Sequence, residues 1–514
     1  GLGDVYKRQL VKEEIDMKYY STRDKNVSLS AAEAVKMGLS RDGGLLTPTR
    51  IPQIDRAFLE RLIPMEYAQR AAKVMALYLT DYSEEELLTF GRNAYGPAQF
   101  DDPIAAPVRK VEDGLYCLEL WHGPTSAFKD MALQMLPQLL SAALRKTGEK
   151  RTACILAATS GDTGKAALEG FKDVDKTKIL VFYPVDGVSP MQKLQMTTQE
   201  GENVAVCAIH GNFDDAQSAV KSIFTNDEIK AELAKKNMMF SSANSINWGR
   251  LVPQIVYYFS AYADLCKMGQ LQVGEPMNVV VPTGNFGNIL AGYYAKHMGL
   301  PIKTMVCASN TNNVLTDFLK TGTYDRNRDF YATTSPSMDI LISSNLERLL
   351  YHMSGESDAA VRGWMTQLAE NGKYTVEPEV MAKIQNEFAA GYCDEAAVAD
   401  TIHKTYTDQN YLCDTHTAVA VKVYRDYVAQ TGDDLPTVID STASPYKFSK
   451  SVLTAVLEGN TPQLDEFDMV EELHRVTGAA VPAPLAALKD KAVRFTQVCD
   501  RENMSQMVFQ LLNL

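Results

Sequence analysis

The sequence predicts an α/β fold, with parallel sheets covered by helices in two domains, plus an N-terminal module. From about residue 113 onward, short apolar runs alternate with glycine-marked turns and helical patterns. This alternation is typical of parallel strands joined by crossover helices. The chain has 514 residues, which is more than one hydrophobic core usually serves, so two or three domains are expected.

The chain divides into four segments by pattern. Residues 1–16 are charged and lack a periodic pattern, so they are predicted to be a non-native or disordered leader. In residues 17–112 helical patterns alternate with Pro- and Gly-marked turns, which indicates an N-terminal scaffold module. Residues 113–250 are expected to form a smaller α/β domain, and residues 251–514 a larger one.

Six short apolar runs are predicted to be strands of these sheets. They cover residues 153–158, 179–183, 204–209, 279–281, 304–308 and 437–439. Their length and composition suit parallel strands that are buried on both faces. The polar residues 321–337 are predicted to form a long loop, either a lid over a site or a passive surface connection.

Composition excludes several classes of protein. A formal net charge of -13 argues against a nucleic-acid partner, because phosphate backbones require clustered cations. The eight cysteines form no C-x-x-C pair and the seven histidines form no i, i+4 pair, so reduced thiols and no metal are expected. No apolar run approaches the ~18 residues of a membrane span. No secretory leader is visible either, so we expect a cytoplasmic chain without a membrane partner.

Lys129 is the first candidate for chemistry. It follows Phe128 in the turn at residues 120–130 and precedes an apolar helical pattern that starts at Met131. A helix start and apolar neighbours both disfavour the ammonium form of a lysine. A lysine amine with a lowered pKa is a nucleophile toward aldehydes. A surface lysine in the first turn of a helix is the alternative.

Two glycine-containing turns, residues 159–164 and 282–288, each lie between an apolar run and a helical pattern. Such turns bring backbone N–H groups onto an anion at a helix N-terminus. The first turn is not a nucleotide P-loop, because Thr159 stands where the earlier glycine is required and Ala166 follows Lys165. An ordinary tight turn is the alternative for both.

Together with residues 243–250 (ANSINWGR) and 440–448 (DSTASPYKF), these segments resemble the signature of the threonine synthases. These are pyridoxal-phosphate enzymes of the tryptophan-synthase-β-like fold, called PLP fold type II. The resemblance runs from about Met17 to the C-terminus. It implies that pyridoxal 5'-phosphate is bound by Lys129, Gly284, Asn285, Phe286, Gly287 and Thr442.

In this resemblance the glycine loop at residues 284–287 is the cradle for the cofactor phosphate, and Thr442 faces the pyridine nitrogen. A neutral hydroxyl there should leave the ring less protonated than a carboxylate would. A helix N-cap is the alternative role of Thr442.

The resemblance also implies a substrate site. Ser160 is expected to meet the substrate carboxylate, and Thr163, Asn244, Ser245 and Arg250 its phosphate. The planar fork of Arg250 suits a phosphate because it donates two parallel hydrogen bonds. A solvated helix residue is the alternative for Arg250. We assign no catalytic role to Asp130, Asp162 or His122.

The reaction that the resemblance implies is the conversion of O-phospho-L-homoserine and water to L-threonine and phosphate. It is a γ-elimination followed by a β-addition, with Lys129 moving the protons. The alternatives are a phospho-lyase that gives 2-oxobutyrate and a non-catalytic pyridoxal-phosphate-binding relative. The expected partner is a small-molecule substrate, with the chain acting as a monomer or homodimer.

Overall fold

The computed structural model describes residues 16–159, 161–186 and 188–513. The leader expected at residues 1–16 therefore lies almost wholly outside the described residues, and Ser160 lies outside them as well. The other residues named above as site candidates are all described.

The strands lie mostly in the middle of the chain. They are β1 (Tyr19–Ser21), β2 (Asp24–Leu29), β3 (Leu46–Pro48), β4 (Val108–Glu112), β5 (Leu115–Glu119), β6 (Thr152–Ala158), β7 (Thr177–Pro184), β8 (Val204–His210), β9 (Met238–Ser241), β10 (Met277–Pro282), β11 (Ile302–Ser309), β12 (Thr323–Asp325), β13 (Lys373–Thr375), β14 (Phe388–Tyr392), β15 (Thr437–Ser441) and β16 (Val498–Asp500).

Helices connect these strands along the whole chain. They are α1 (Ala31–Met37), α2 (Arg56–Leu62), α3 (Tyr67–Ala76), α4 (Glu84–Tyr95), α5 (Asp130–Leu133), α6 (Leu136–Lys146), α7 (Asp162–Phe171), α8 (Pro190–Thr197), α9 (Phe213–Thr225), α10 (Asp227–Lys235), α11 (Trp248–Lys267), α12 (Gly287–Met298), α13 (Val314–Thr321), α14 (Leu346–Met353), α15 (Asp358–Asn371), α16 (Pro378–Glu387), α17 (Glu395–Gln409), α18 (Thr415–Thr431), α19 (Ser449–Val456), α20 (Glu466–Thr477), α21 (Ala483–Ala486) and α22 (Met504–Leu512). Short 3₁₀ turns cover Pro336–Met338, Pro445–Phe448, Ala487–Asp490 and Arg501–Asn503. None of the helices in the described ranges is long and apolar enough to cross a membrane.

Two sheets form the centre of the fold. The six-stranded sheet has the order β14-β11-β10-β15-β5-β4, and all its neighbours are parallel except β4 and β5. The five-stranded sheet has the order β16-β8-β7-β6-β9 and is parallel throughout. Smaller antiparallel sheets join β2-β1-β3 and β12-β13. The α/β fold class predicted from the sequence is confirmed.

All six predicted strands are present, as β6, β7, β8, β10, β11 and β15. The division into domains at residues 113 and 251 stays a prediction. The two sheets do not follow this division of the sequence. Strands β4 and β5 belong to the same sheet as β10, β11 and β15, and β16 pairs with β8 in the five-stranded sheet.

The N-terminal module contacts both ends of α11. Its first helix begins at a capping box, in which the Glu33 N–H donates to Ser30 Oγ (3.3 Å) and the Ser30 N–H to Glu33 Oε2 (2.8 Å). Arg70 on α3 is buried and lies 2.7 Å from Asp264 Oδ1 on α11. At the other end of α11 the ring of Trp248 packs edge-on against a tyrosine of the module. The module therefore fixes the helix on which Arg250 lies.

Close contact between α5 and α7 generates a prediction. An added Cβ at Gly170 on α7 would lie 1.9 Å from the carbonyl oxygen of Leu133 on α5. Gly170→Ala should therefore lower the free energy of unfolding by about 1–3 kcal/mol, the usual cost of overpacking. Urea unfolding of the protein without added ligand measures this change.

Gly363→Ala on α15 is the matched control. An added Cβ at Gly363 would have nothing within 4 Å, so this variant should be about 0.5–1 kcal/mol more stable than the parent, because alanine favours a helix interior. Equal stability of the two variants would contradict the close contact between α5 and α7.

Candidate active site

Lys129 lies in a turn that begins at the carboxyl end of β5 and leads into α5. This turn is joined to the segment that follows β15. The Phe128 N–H donates to the Thr442 carbonyl (2.7 Å), and the Ser444 N–H donates to the Ser126 carbonyl (3.1 Å). The two segments that carry Lys129 and Thr442 are therefore held together by backbone hydrogen bonds.

Asp130 stabilises this turn from within. Its carboxylate accepts the Thr125 N–H (2.9 Å) and the Thr125 hydroxyl (2.7 Å). Burial raises the pKa of Asp130 to about 7, although the bonds from Thr125 oppose that shift. These contacts give Asp130 a structural role next to Lys129.

The amine of Lys129 is surrounded by charged groups. Burial lowers the pKa of Lys129 below its ordinary value. The negative charge of Asp162 opposes this shift, whereas the positive charges of Arg250 and Lys447 add to it. The direction agrees with the sequence prediction, and it favours the free, nucleophilic amine.

The turn between β6 and α7 brings Asp162 to this place. Gly161 has a φ of +149°, which favours glycine, and its N–H donates to Thr159 Oγ1 (3.0 Å). Asp162 is buried and forms an ion pair of 2.8 Å with the Lys447 amine. Burial raises the pKa of Asp162, but the charges of Lys447 and Lys129 outweigh that effect and hold the pKa well below its usual range.

The other residues of this turn differ in exposure to solvent. Thr163 is exposed at the first turn of α7, and the predicted partner of the substrate carboxylate, Ser160, lies outside the described residues. Lys165 is buried and its amine contacts Glu169 (3.2 Å) and Gln199 (2.5 Å). Those contacts agree with the rejection of a P-loop at this turn.

The second glycine turn, residues 284–287, connects β10 to α12 and is called the glycine cradle below. Within the described part of the chain, no acceptor contacts the backbone N–H groups of these four residues. Phe286 is held in the left-handed region (φ 67°, ψ 0°), and its buried ring packs 5.9 Å from that of Phe388. A helix start with free N–H groups is suited to a phosphate.

The loop predicted at residues 321–337 contains the short strand β12 and continues into a segment that contacts this cradle. The two interpretations of the loop, a lid and a passive surface connection, both stay predictions. Ser343 Oγ donates to the Gly284 carbonyl (2.7 Å) and the Asn345 N–H to the Asn285 carbonyl (3.0 Å). Asn345 Nδ2 also donates to the Ser245 carbonyl (3.2 Å). Residues 331–345, called the clamp segment below, thus connect the cradle to the segment after β9.

Arg250, Asn244 and Ser245 belong to that segment after β9. Arg250 is 5% exposed, so the alternative of a solvated helix residue is wrong. Its Nη1 donates to the Ala243 carbonyl (3.1 Å), whereas its Nε has no acceptor among the described residues. Burial lowers the pKa of Arg250 to about 10. A buried guanidinium with an unpaired N–H is costly unless an anion accepts it.

Thr442 is buried, and its hydroxyl has no hydrogen-bond partner within the described ranges. The alternative of a helix N-cap does not hold, because Ser444 caps the following 3₁₀ turn by accepting the Tyr446 N–H (3.3 Å). The free hydroxyl fits a neutral group that faces a ligand.

The sequence prediction omitted Lys447. Its partner Asp162 lies far away in the chain, so no spacing pattern signals the pair.

The site therefore combines the Lys129 amine with two sets of unpaired N–H donors, at the glycine cradle and at Arg250. These groups fit a ligand that contains two anionic groups held at separate places. No group of three or more metal-ligating side chains is found in the part of the chain that the structure describes.

Comparison with known protein families identifies three regions. A family model described as Threonine synthase N terminus matches residues 18–95. One described as Pyridoxal-phosphate dependent enzyme matches residues 103–392, and one described as Threonine synthase, C-terminal matches residues 417–508.

Individual proteins are similar over most of the chain. The Threonine synthase-like 1 protein of Homo sapiens is 40% identical over 435 residues, which cover 83% of this chain and 58% of that relative. The chain thus spans less than two thirds of the length of the first curated relatives it matches. The threonine synthase of Schizosaccharomyces pombe is 38% identical over 467 residues, covering 85% of this chain and 89% of that relative. The crystal structure of PLP-bound threonine synthase from Brucella melitensis has a TM-score of 0.85 at 38% identity and covers 96% of this chain and 99% of that one.

Substitutions in the glycine cradle generate a prediction. An added Cβ at Gly287 would lie 3.4 Å from Asn345 Nδ2, an ordinary contact. Gly287→Ala should therefore change the free energy of unfolding by less than about 0.5 kcal/mol. It should nevertheless weaken pyridoxal phosphate binding about tenfold, because a side chain there hinders close approach of a phosphate to the backbone.

Gly284→Ala serves as the comparison. An added Cβ at Gly284 would lie 2.6 Å from the Ser337 carbonyl oxygen, so this variant should lose both stability and cofactor affinity. Urea unfolding and absorbance titration with pyridoxal phosphate measure the two effects. A Gly287→Ala protein that binds the cofactor as tightly as the parent would contradict the assignment of the cradle.

Proposed function

Because the chain belongs to the threonine synthase family of pyridoxal-phosphate-dependent enzymes, we propose that it converts O-phospho-L-homoserine and water to L-threonine and phosphate. This carbon–oxygen lyase reaction is the last step of threonine biosynthesis. The observation that carries the proposal is the second anion site. A cofactor phosphate alone needs the glycine cradle, whereas the buried Arg250 with its unpaired Nε favours a further anionic group.

In this proposal each group of the site has one task. Lys129 binds the cofactor, and its amine takes protons from the substrate and returns them, which its lowered pKa favours. When bound, pyridoxal phosphate supplies the electron sink that stabilises negative charge on the substrate carbon atoms. The glycine cradle, residues 284–287, holds the cofactor phosphate. The neutral hydroxyl of Thr442 faces the pyridine nitrogen.

The substrate phosphate is assigned to Arg250, Asn244, Ser245 and Thr163. Arg250 donates the charged hydrogen bonds, and it is held in place by the Ala243 carbonyl. The clamp segment connects this group to the cradle through Asn345, so the two phosphates are held at a fixed separation. Such positioning is what a sequence of proton transfers by one amine requires. Ser160 stays the predicted partner of the substrate carboxylate.

The alternatives make different products. A phospho-lyase would release 2-oxobutyrate from the same substrate, and a non-catalytic relative would bind the cofactor without turnover. A mere cofactor carrier has no need of the buried Arg250. Incubation with O-phospho-L-homoserine, followed by identification of the amino or oxo acid formed, distinguishes the three.

We also propose that the enzyme acts in the cytoplasm, as a monomer or homodimer. Its eight cysteines are all free, and unpaired, mostly buried thiols are typical of proteins in a reducing compartment.

The assignment of Lys129 generates a prediction. Borohydride reduction of the protein loaded with pyridoxal phosphate should fix the cofactor on Lys129, because the pKa of its amine is lowered and the free amine is the nucleophile toward the aldehyde. Peptide mass mapping locates the product. Modification of the neighbouring Lys447 instead of Lys129 would refute the assignment.

Arg250 provides a second prediction. Arg250→Ala should retain pyridoxal phosphate but lose about 2–4 kcal/mol of transition-state stabilisation, since it removes a buried charged hydrogen bond. Arg250→Lys should recover part of this loss, because it restores the charge without the planar fork. The measurement is kcat/KM with O-phospho-L-homoserine beside cofactor occupancy. Parent-like efficiency in Arg250→Ala, or a defect explained wholly by lost cofactor, would remove Arg250 from the substrate site.

A further inference from the structure

A buried histidine outside the residues assigned above contacts the clamp segment next to the glycine cradle. His416, in the first turn of α18, is 2% exposed, and its ring packs 5.0 Å from that of Phe448. Its Nε2 accepts the N–H of Ser337 (3.1 Å). Ser337 is the residue whose carbonyl oxygen lies 2.6 Å from an added Cβ at Gly284. His416 therefore holds the part of the clamp segment that touches the cradle.

The protonation of His416 follows from its partners. Its Nδ1 lies 2.7 Å from Asp414 Oδ2, which is a carboxylate oxygen and accepts a hydrogen bond. Because a neutral imidazole has one donor and one acceptor nitrogen, Nδ1 carries the proton and Nε2 accepts from Ser337. Asp414 is completely buried and also caps α18 by accepting the N–H groups of His416 and Thr417.

From Asp414 the hydrogen bonds continue to the turn that carries Lys129. The Thr417 hydroxyl donates to Asp414 Oδ1, so it must accept from the Ser441 hydroxyl, which is 3.0 Å away. Ser441 Oγ in turn accepts the indole N–H of Trp121 (3.1 Å). The direction of each hydrogen bond in this network is determined, because both of its arms lead to the Asp414 carboxylate, which can only accept.

The clamp segment is also fixed at a second point. Asp339 accepts hydrogen bonds from Asn310 Nδ2 (2.8 Å), Asn312 Nδ2 (2.9 Å) and the Thr333 N–H (2.9 Å). The two asparagines follow β11, so these bonds hold the segment to the edge of the sheet. Among the described contacts, however, the Ser337 N–H donates to His416 Nε2 and not to these asparagines or Asp339.

We propose that His416 is a positioning residue for the cofactor-phosphate site, because it holds Ser337 against Gly284 and is itself fixed, through Asp414, to the turn of Lys129. The proposal rests on the assignment of the glycine cradle to the cofactor. It makes His416 necessary for cofactor affinity, although His416 touches neither the cradle nor the Lys129 side chain in the described contacts.

Two isosteric variants separate the two hydrogen bonds of His416. In His416→Asn the amide can still donate to Asp414 but is too short to reach the Ser337 N–H. In His416→Gln the side-chain oxygen can accept the Ser337 N–H. Asp414 then loses the hydrogen bond from the imidazole Nδ1 but keeps those from the backbone N–H groups of residues 416 and 417. We expect about tenfold weaker pyridoxal phosphate binding in His416→Asn, as for the loss of one hydrogen bond, and a change below about threefold in His416→Gln.

The experiment measures two quantities on each purified full-length protein. Absorbance titration gives the dissociation constant of pyridoxal phosphate, and hydrogen exchange of the cofactor-free protein gives the protection of the peptide that contains the Ser337 amide. We expect faster exchange of that peptide in His416→Asn than in the parent, and parent-like exchange in His416→Gln. His352→Asn is the matched control, because the His352 ring is hydrogen-bonded to Tyr294 (2.8 Å) and has no hydrogen bond to the clamp segment among the described contacts.

The outcomes distinguish this inference from the proposed function. A parent protein that binds no pyridoxal phosphate would overturn the cofactor assignment, and this inference with it. If the parent binds the cofactor but His416→Asn has parent-like affinity and exchange, the inference alone is overturned. It is also overturned if both variants and His352→Asn lose affinity equally, in step with their stability, because His416 would then have a merely structural role.

Discussion

The site depends on the balance of buried charge around Lys129. Taking an ion out of water costs several kcal/mol unless a partner compensates it. Lys129, Arg250 and Lys447 are enclosed together, and Asp162 is paired directly with Lys447 at 2.8 Å. The nearby Asp130 has a pKa of about 7, so near neutral pH it carries only part of a charge. Positive charge therefore exceeds negative charge, which favours an anionic ligand and lowers the pKa of the Lys129 amine.

The fold assembles these groups because the segments that carry them follow the carboxyl ends of parallel strands. The Lys129 turn follows β5, the turn at 161–164 follows β6, the Arg250 segment follows β9, the glycine cradle follows β10, and Thr442 follows β15. In open parallel sheets the carboxyl ends form the crevice in which ligands bind. Residues that are distant in the sequence thus meet at one place, and each sheet contributes part of the site.

Local sequence signals predicted the parts of the structure that local forces decide. The apolar runs predicted as strands are found as β6, β7 and β10, among others. Strand β14 was missed because Phe388–Tyr392 contains no β-branched residue, and its pairing with β11 decides its conformation. The Asp162–Lys447 pair and the contact of His416 with Ser337 were also missed, because each joins residues that only the tertiary fold brings together. The sequence left open whether Thr442 is a helix cap, and the structure shows that its neighbour Ser444 is the cap instead.

The left-handed conformation of Phe286 shows how packing and the site are connected. For a residue with a side chain this conformation costs on the order of 1–2 kcal/mol, and a bulky residue adopts it rarely. Here the ring is completely buried and packs against Phe388, and burial of an aromatic side chain stabilises by about 1.5–3 kcal/mol. The packing of the ring therefore offsets the strain of the backbone. Since that backbone conformation starts α12 with its N–H groups unpaired, the hydrophobic core of the larger sheet fixes the geometry of the glycine cradle.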